Sequence, residues 1–182
     1  SLVDAGEAER FDPARRAQVA RQYPGVLATG DIDQAFDVAE AVVIATPAAS
    51  HAPLARAAIE RGLPSLVEKP FTLNPKDADM LVALAAASRV PVMVGHLLLF
   101  HPVVERLRTM IRGGDLGDIY YLYSQRVNLG QVRPDENALW SFGPHDVSVA
   151  LDLLGQPPVR VAAQGHSYLQ AGIEDVVFLN ME

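Results

Sequence analysis

The sequence predicts an α/β protein in two parts, and three observations lead to this prediction. First, short apolar runs alternate with amphipathic helical segments up to Gly95, which is typical of a parallel sheet with crossover helices. Second, this alternation stops after Gly95, so we expect an α+β domain over residues 96–182 that follows the α/β domain of residues 1–95. Third, 182 residues that are 49% hydrophobic can bury a sizeable core.

Four short apolar runs are the strand candidates of the first domain, at residues 2–3, 41–45, 63–67 and 90–94. Their nearly continuous apolar character is typical of strands that are covered on both faces. Asp12-Pro13 and Asn74-Pro75 predict two helix starts, because each places a capping side chain before a proline at the first helical position.

The second domain mixes helices with β-rich runs. An apolar stripe predicts a helix over residues 102–112, ended by Gly113-Gly114, and a second stripe predicts a helix from about residue 144 to 154, ended by Gly155. Tyrosines and β-branched residues predict a half-exposed strand over residues 119–127. Further strands are expected over residues 159–163 and 176–181.

Charge and composition exclude several classes of function. A net charge of -7 disfavours nucleic acid and anionic membranes as general partners. No apolar run reaches the roughly 20 residues that span a bilayer. The absence of cysteine excludes disulfides and thiolate zinc sites, which agrees with a cytoplasmic protein, and no paired histidine spacing predicts a metal site.

Two residues could carry proton chemistry. Lys69, in Glu68-Lys69-Pro70, follows a strand end, where open α/β sheets bind ligands, and its ammonium could hold a substrate hydroxyl. His145, in Gly143-Pro144-His145-Asp146, could exchange the proton of that hydroxyl. The alternatives are a surface lysine in a loop, and a histidine at a helix start that packs against Trp140.

A dinucleotide-binding domain normally opens with a strand and a glycine-rich turn at a helix N-terminus. No G-x-G-x-x-G motif occurs in this sequence. We therefore expect the chain to lack the first βα unit and the rest of the second domain, and to bind dinucleotide poorly on its own. The alternative is a complete domain that never bound a dinucleotide.

Taken in order, the motifs resemble the Gfo/Idh/MocA family of nicotinamide-dependent sugar and cyclitol oxidoreductases. They are Thr46-Pro47 with His51, Glu68-Lys69-Pro70, Gly114-Asp115-Leu116-Gly117 and Gly143-Pro144-His145-Asp146. The resemblance implies a Rossmann-like domain, then a domain whose large open, mostly antiparallel sheet often mediates homo-oligomer contacts. It also implies Lys69 and His145 as the catalytic pair.

The resemblance further implies that Thr46, Pro47, His51, Glu68 and Lys69 line the cofactor side. Asp4 matches the acidic residue that hydrogen-bonds the adenosine ribose. A carboxylate there repels a 2′-phosphate, which favours NAD over NADP as the cofactor.

The predicted substrate residues are Arg126, Asn128, Trp140 and Ser141. The stretch around Arg126 and Asn128 is similar to family members that act on nucleotide-linked sugars, where arginine could pair with a diphosphate; an arginine on the solvent face of the sheet is the alternative. Many members carry aspartate where this chain has Ser141. Because a hydroxyl cannot act as a carboxylate base at neutral pH, the base role falls on His145.

Three functions remain open at this stage. The first is an NAD-dependent dehydrogenase that acts on a hydroxyl of a sugar or nucleotide sugar, with no nucleic-acid or membrane partner. The second is a non-catalytic member of the same fold that senses dinucleotide or sugar, suggested by Ser141. The third is an enzyme that uses bound NAD transiently to cleave glycosides or epimerise sugars.

Overall fold

The computed structural model of the protein describes residues 13–127 and 136–182. The chain divides into two compact units, the first ending at Gly95 and the second beginning at His96. The predictions that fall on residues 2–3, Asp4, Asp12 and Asn128 lie outside the described residues.

The first unit is built on a three-stranded parallel sheet. Its strands are β1 (Val42–Ile44), β2 (Ser65–Val67) and β3 (Val92–Val94), in the spatial order β1-β2-β3. Its helices are α1 (Pro13–Gln22), α2 (Ile32–Asp37), α3 (His51–Glu60) and α4 (Pro75–Ser88), with a 3₁₀ turn at Ala48–Ser50. Each strand lies inside a predicted apolar run, so the alternation in the sequence is confirmed for this sheet.

The core of this unit lies between the sheet and the two crossover helices, α3 and α4. It is formed by Ile44, Ala55, Ile59, Val67, Leu81 and Val90. Fully burying one leucine or isoleucine side chain contributes about 2 kcal/mol, so these contacts stabilise the packing of α3 and α4 on the sheet.

Two helices of this unit begin at a residue whose side chain caps the first turn. The Asn74 side chain accepts a hydrogen bond from the backbone N–H of Lys76 at 3.0 Å, which confirms the predicted start of α4 at Pro75. Asp31 caps α2 in the same way through the N–H groups of Asp33 and Gln34. The sequence analysis did not identify α2.

The second unit contains two long helices and a small sheet. A 3₁₀ turn at Leu97–Phe100 is followed by α5 (Pro102–Gly113) and α6 (Ala138–Leu154). Strands β4 (Val161–His166) and β5 (Val176–Met181) pair in antiparallel fashion. Gly114 and Gly155 adopt φ angles of 77° and 71°, so both predicted glycine stops are confirmed.

The predicted strand over residues 119–127 is wrong, because these residues form no regular secondary structure. Tyr120 is 89% exposed and its neighbours are also exposed. An aromatic and β-branched run suits a half-buried strand, yet a strand also needs a partner, and no described strand pairs with this one. Among the described residues of this unit the sheet has two strands, so the large sheet expected from the resemblance is not observed there.

The predicted start of the second helix is also wrong. Helix α6 begins at Ala138, and the Asn137 side chain caps it by accepting from the N–H of Trp140 at 3.0 Å. Pro144 therefore lies inside the helix, and His145 and Asp146 lie in its middle turns. Among the described residues, no helix combines the length and apolar character needed to cross a membrane.

Candidate functional site

The predicted cofactor residues of the first unit leave the sheet at one edge. Ile44, Val67 and Val94 are register partners at the carboxyl ends of three parallel strands. The N–H of Glu68 donates to the Ile44 carbonyl at 2.8 Å, and the N–H of Gly95 donates to the Val67 carbonyl at 2.7 Å. These bonds extend the sheet by one residue at the edge where open α/β sheets bind ligands.

Glu68 and Lys69 are half-buried at this edge. The Glu68 carboxylate accepts from the backbone N–H of Lys69 at 3.2 Å. It also lies against Gly95, where an added Cβ atom would come within 3.1 Å of Glu68 Oε2. Gly95 therefore leaves room for this carboxylate. This role of Gly95 was not predicted from the sequence, although a glycine directly after a buried strand marks a close approach of this kind.

Thr46, Pro47 and His51 form the second segment of this edge. The Ser50 hydroxyl donates to Thr46 Oγ1 at 2.6 Å, while Pro47 is exposed. The His51 ring is buried, with Nδ1 2.7 Å from the Pro70 carbonyl oxygen and Nε2 2.7 Å from the Thr46 carbonyl oxygen. The peptide bond between Lys69 and Pro70 is cis, which the sequence analysis did not predict.

In the second unit, helix α6 carries three predicted site residues. Ser141 lies one helical turn before His145, so the two side chains share a face of the helix. The Ser141 hydroxyl donates to Glu136 Oε1 at 3.0 Å. Trp140 is partly exposed at the first turn. Neither the contact of Glu136 nor the cap at Asn137 was predicted from the sequence, although an asparagine directly before an apolar helical stripe is a start signal.

Asp146, which follows His145, binds the predicted substrate residue Arg126. Arg126 Nε lies 3.0 Å from Asp146 Oδ2 and Nη2 lies 3.2 Å from Oδ1, while the Ser124 hydroxyl donates to Oδ1 at 2.8 Å. Burial alone would raise the pKa of Asp146, but these hydrogen bonds and the nearby positive charges of Arg126 and His145 lower it overall. The Arg126 guanidinium thus contacts a carboxylate within the second unit. The segment that carries Arg126 is not a strand.

His96 follows β3 directly, and burial lowers its pKa from the ordinary histidine value. The lower pKa favours the neutral imidazole. Its Nδ1 atom is buried and has no hydrogen-bond partner within the described part of the chain. The His101 ring instead caps helix α5, because its Nδ1 accepts a hydrogen bond from the N–H of Val103.

The carboxyl edge of the first unit fits part of a nicotinamide dinucleotide site. A threonine hydroxyl, a carboxylate and an ammonium follow adjacent strand ends, at Thr46, Glu68 and Lys69. The glycine-rich turn that cradles a pyrophosphate does not occur in the sequence. The described residues of this unit therefore account for the strand-end contacts of such a site and not for its phosphate cradle.

A parallel sheet with polar residues at its carboxyl edge, followed by an α+β unit, is compatible with a Rossmann-fold oxidoreductase. Two family models match the chain. Residues 10–96 match the oxidoreductase family with the NAD-binding Rossmann fold, and residues 104–182 match the GFO/IDH/MocA C-terminal domain. The chain belongs to the Gfo/Idh/MocA family of oxidoreductases.

Relatives with known activities support this assignment. The chain is 32% identical over 152 residues to UDP-N-acetylglucosamine 3-dehydrogenase of Acidithiobacillus ferrooxidans, covering 83% of this chain and 47% of that protein. It is 29% identical over 179 residues to inositol 2-dehydrogenase of Corynebacterium glutamicum, covering 94% and 53% respectively. The chain therefore spans about half the length of these curated relatives.

The fold agrees with the sequence comparison. A solved structure of the Acidithiobacillus ferrooxidans UDP-N-acetylglucosamine 3-dehydrogenase superimposes with a TM-score of 0.83 at 28% identity. The match covers 99% of this chain and 57% of that chain.

Proposed function

We propose that this chain contributes catalytic and binding residues to an NAD-dependent dehydrogenase that oxidises a hydroxyl group of a sugar, including sugars linked to a nucleotide. The observation that carries the proposal is the set of polar residues at the carboxyl edge of the parallel sheet, Thr46, Glu68 and Lys69. Bound NAD supplies the acceptor for the hydride that leaves the substrate carbon. The chain's own residues bind the alcohol and move its proton.

Lys69 is the residue that holds the substrate hydroxyl. Its ammonium donates hydrogen bonds and stabilises the negative charge that develops on the oxygen as the carbon loses hydride. The backbone at this residue is fixed on one side by the sheet, through the bond from Glu68 to Ile44 at 2.8 Å. A fixed donor contributes more than a mobile one, because less order has to be created in the transition state.

His145 is the residue that exchanges the hydroxyl proton. An imidazole titrates close to neutral pH and can therefore both take and return a proton. Ser141 cannot replace it as a base. The Ser141 hydroxyl donates a hydrogen bond to Glu136 Oε1 at 3.0 Å.

The substrate class rests on the relatives and on the second unit. Both named relatives are dehydrogenases, one with a nucleotide sugar and one with inositol in its name. Arg126 is the candidate contact for a diphosphate, provided that it binds the ligand while it keeps Asp146, as a guanidinium with five donors can. Asp4, Asn128 and Trp140 complete the proposed cofactor and substrate contacts, and a homo-oligomer through the C-terminal sheet remains part of the proposal.

The test uses the intact protein with Lys69→Ala and His145→Ala, assayed for NADH formation over a panel of sugars, cyclitols and nucleotide sugars. Each substitution should lower kcat by about 100-fold or more, because each removes a group that acts on the reacting hydroxyl. Lys76→Ala and His166→Ala are the matched controls, since Lys76 is the only other lysine and both side chains are exposed.

The double variant tests whether the two residues act on the same step. If they do, Lys69→Ala with His145→Ala should lose less activity than the product of the two single losses. Near wild-type kcat in both single variants would overturn the assignment. A wild-type protein that binds NAD but turns over none of the panel would instead favour the sensor.

A further inference from the structure

His51 is among the most deeply buried polar residues that the structure describes. Its relative exposure is 1%, and it lies at the first residue of helix α3. Both ring nitrogens lie 2.7 Å from a backbone carbonyl oxygen, Nδ1 from that of Pro70 and Nε2 from that of Thr46. The ring is therefore occupied on both sides by the chain's own backbone.

The two carbonyl partners determine the hydrogen-bonding role of each ring nitrogen. A carbonyl oxygen only accepts hydrogen bonds, so each nitrogen satisfies its contact by donating. A neutral imidazole has one N–H and can satisfy one contact, whereas an imidazolium donates to both. The ring therefore contacts both carbonyl oxygens and donates to the one that faces its N–H.

The two carbonyl groups belong to segments that leave neighbouring strands. Thr46 follows the end of β1, and Pro70 follows Lys69 after the end of β2. The ring thus bridges the two loops at the edge of the sheet where the proposed cofactor residues lie. Ser50 supports the first loop, because its hydroxyl donates to Thr46 Oγ1 at 2.6 Å and contacts the Pro47 carbonyl at 2.8 Å.

We propose that His51 is a positioning residue that contacts a backbone carbonyl group of each loop and thereby fixes the backbone of Lys69. The proposal replaces the direct cofactor contact expected from the sequence, because a ring with 1% exposure and two backbone partners has no face left for a ligand. Its catalytic consequence rests on the proposed dehydrogenase function. Its structural consequence, that the two loops are held together, does not.

The structural consequence is tested by hydrogen exchange in the intact protein. His51→Ala should speed exchange of the Glu68 and Lys69 amides about tenfold, because the loops lose the contacts of the ring and open more often. Ile59→Ala is the matched control, since Ile59 lies in the same helix with the same 1% exposure and belongs to the apolar core. The variants are compared at temperatures where their unfolded fractions are equal.

Equal exchange of these two amides in His51→Ala and Ile59→Ala would overturn the positioning role, since His51 would then act only through global stability. If His51→Ala does not fold, His51→Gln replaces it. An amide side chain can keep one of the two contacts, so the Glu68 and Lys69 amides of His51→Gln should exchange faster than in the wild type, by less than the tenfold expected for His51→Ala.

The contacts of the ring have their own spectroscopic readout. With ¹⁵N-labelled histidine, the ring N–H of His51 should be protected from exchange with solvent, because it is buried and faces a backbone carbonyl oxygen. A ring N–H that exchanges as fast as that of an exposed histidine would contradict the buried contacts.

The catalytic consequence is read from kcat and KM. His51→Ala should lower kcat by about 10- to 100-fold, because small misplacement of a reacting group has effects of this size, while Ile59→Ala leaves kcat per folded molecule unchanged. Equal kcat in both variants would overturn the catalytic half. If the wild type shows no turnover on any substrate, the dehydrogenase function fails, and hydrogen exchange and the ring spectrum still decide the positioning role.

Discussion

The two units hold their candidate site residues by different means. In the first unit, the strand ends at Ile44 and Val67 are part of a buried apolar core. In the second unit, polar contacts hold the corresponding residues, with Ser141 bonded to Glu136 and Asp146 bonded to Arg126 and Ser124. Apolar burial holds the strand ends of the first unit, whereas hydrogen bonds and one ion pair hold the site residues of the second.

The sheets show the same difference. Strands β1 and β2 each contain buried residues between two layers, whereas all six residues of β4 are exposed within the described structure. Apolar burial depends little on pH, while surface ion pairs weaken with salt and with protonation. We therefore expect the first unit to respond mainly to cavities and the second mainly to charge changes.

The largest expected effect is in the first core. Leu81→Ala should lower the free energy of unfolding by about 3 kcal/mol, because Leu81 is 0% exposed and its removal leaves a cavity. Its neighbour Val82 is 62% exposed in the same helix, so Val82→Ala should cost less than about 0.5 kcal/mol. Denaturant unfolding of the intact protein measures both values.

The exposed sheet supplies the second half of this comparison. Phe178 on β5 is 69% exposed, and Phe178→Ala should also cost less than about 0.5 kcal/mol. A large loss for Phe178→Ala would show that this face is covered in the intact protein, and the contrast between the two units would then be wrong.

The same contrast explains which parts of the fold could be predicted. In the first unit each strand is an apolar run and helix α4 has a local start signal at Asn74, so neighbouring residues suffice to predict these elements. In the second unit, residues 119–127 carry a strand-like pattern and form no strand. Pairing depends on a distant partner that local pattern does not reveal.

The candidate site shows a similar limit. The sequence predicted that Lys69 follows a strand end, because strand position is a local property. It could not predict that Gly95 leaves room for Glu68, that Glu136 accepts from Ser141, or that Asp146 binds Arg126, since each contact joins residues distant along the chain or across a helix start. The helix predicted from about residue 144 in fact begins at Ala138, with Pro144 inside it.

A smaller effect is expected at Gly95. In Gly95→Ala the new Cβ atom would meet the Glu68 carboxylate at 3.1 to 3.3 Å, so the carboxylate has to shift and its bond to the Lys69 N–H weakens. The double-mutant cycle with Glu68→Ala should show a coupling free energy of about 1 kcal/mol, because removing the carboxylate removes the conflict. Additive unfolding free energies would contradict this account of the glycine.

The smallest expected effect is the coupling between Arg126 and Asp146. Single variants Arg126→Gln and Asp146→Asn and their double variant should give a coupling free energy of about 0.5 to 1 kcal/mol at neutral pH, as measured for partly exposed ion pairs. The matched control is the pair of Arg160 and Glu182, whose side chains are 71% and 50% exposed and whose coupling should be close to zero.

The sign of the pH dependence follows from Asp146. Because its pKa is lowered in the folded state, its stabilising contribution is complete above the usual aspartate pKa of 3.8 and is lost as the pH falls through the lower folded value. The coupling to Arg126 should therefore be constant from neutral pH down to about pH 5 and disappear only in stronger acid. A coupling free energy that vanishes already between pH 7 and pH 5 would show that a group other than the Asp146 carboxylate controls the contact. The ion pair of Arg126 and Asp146 would then not be what stabilises this part of the second unit.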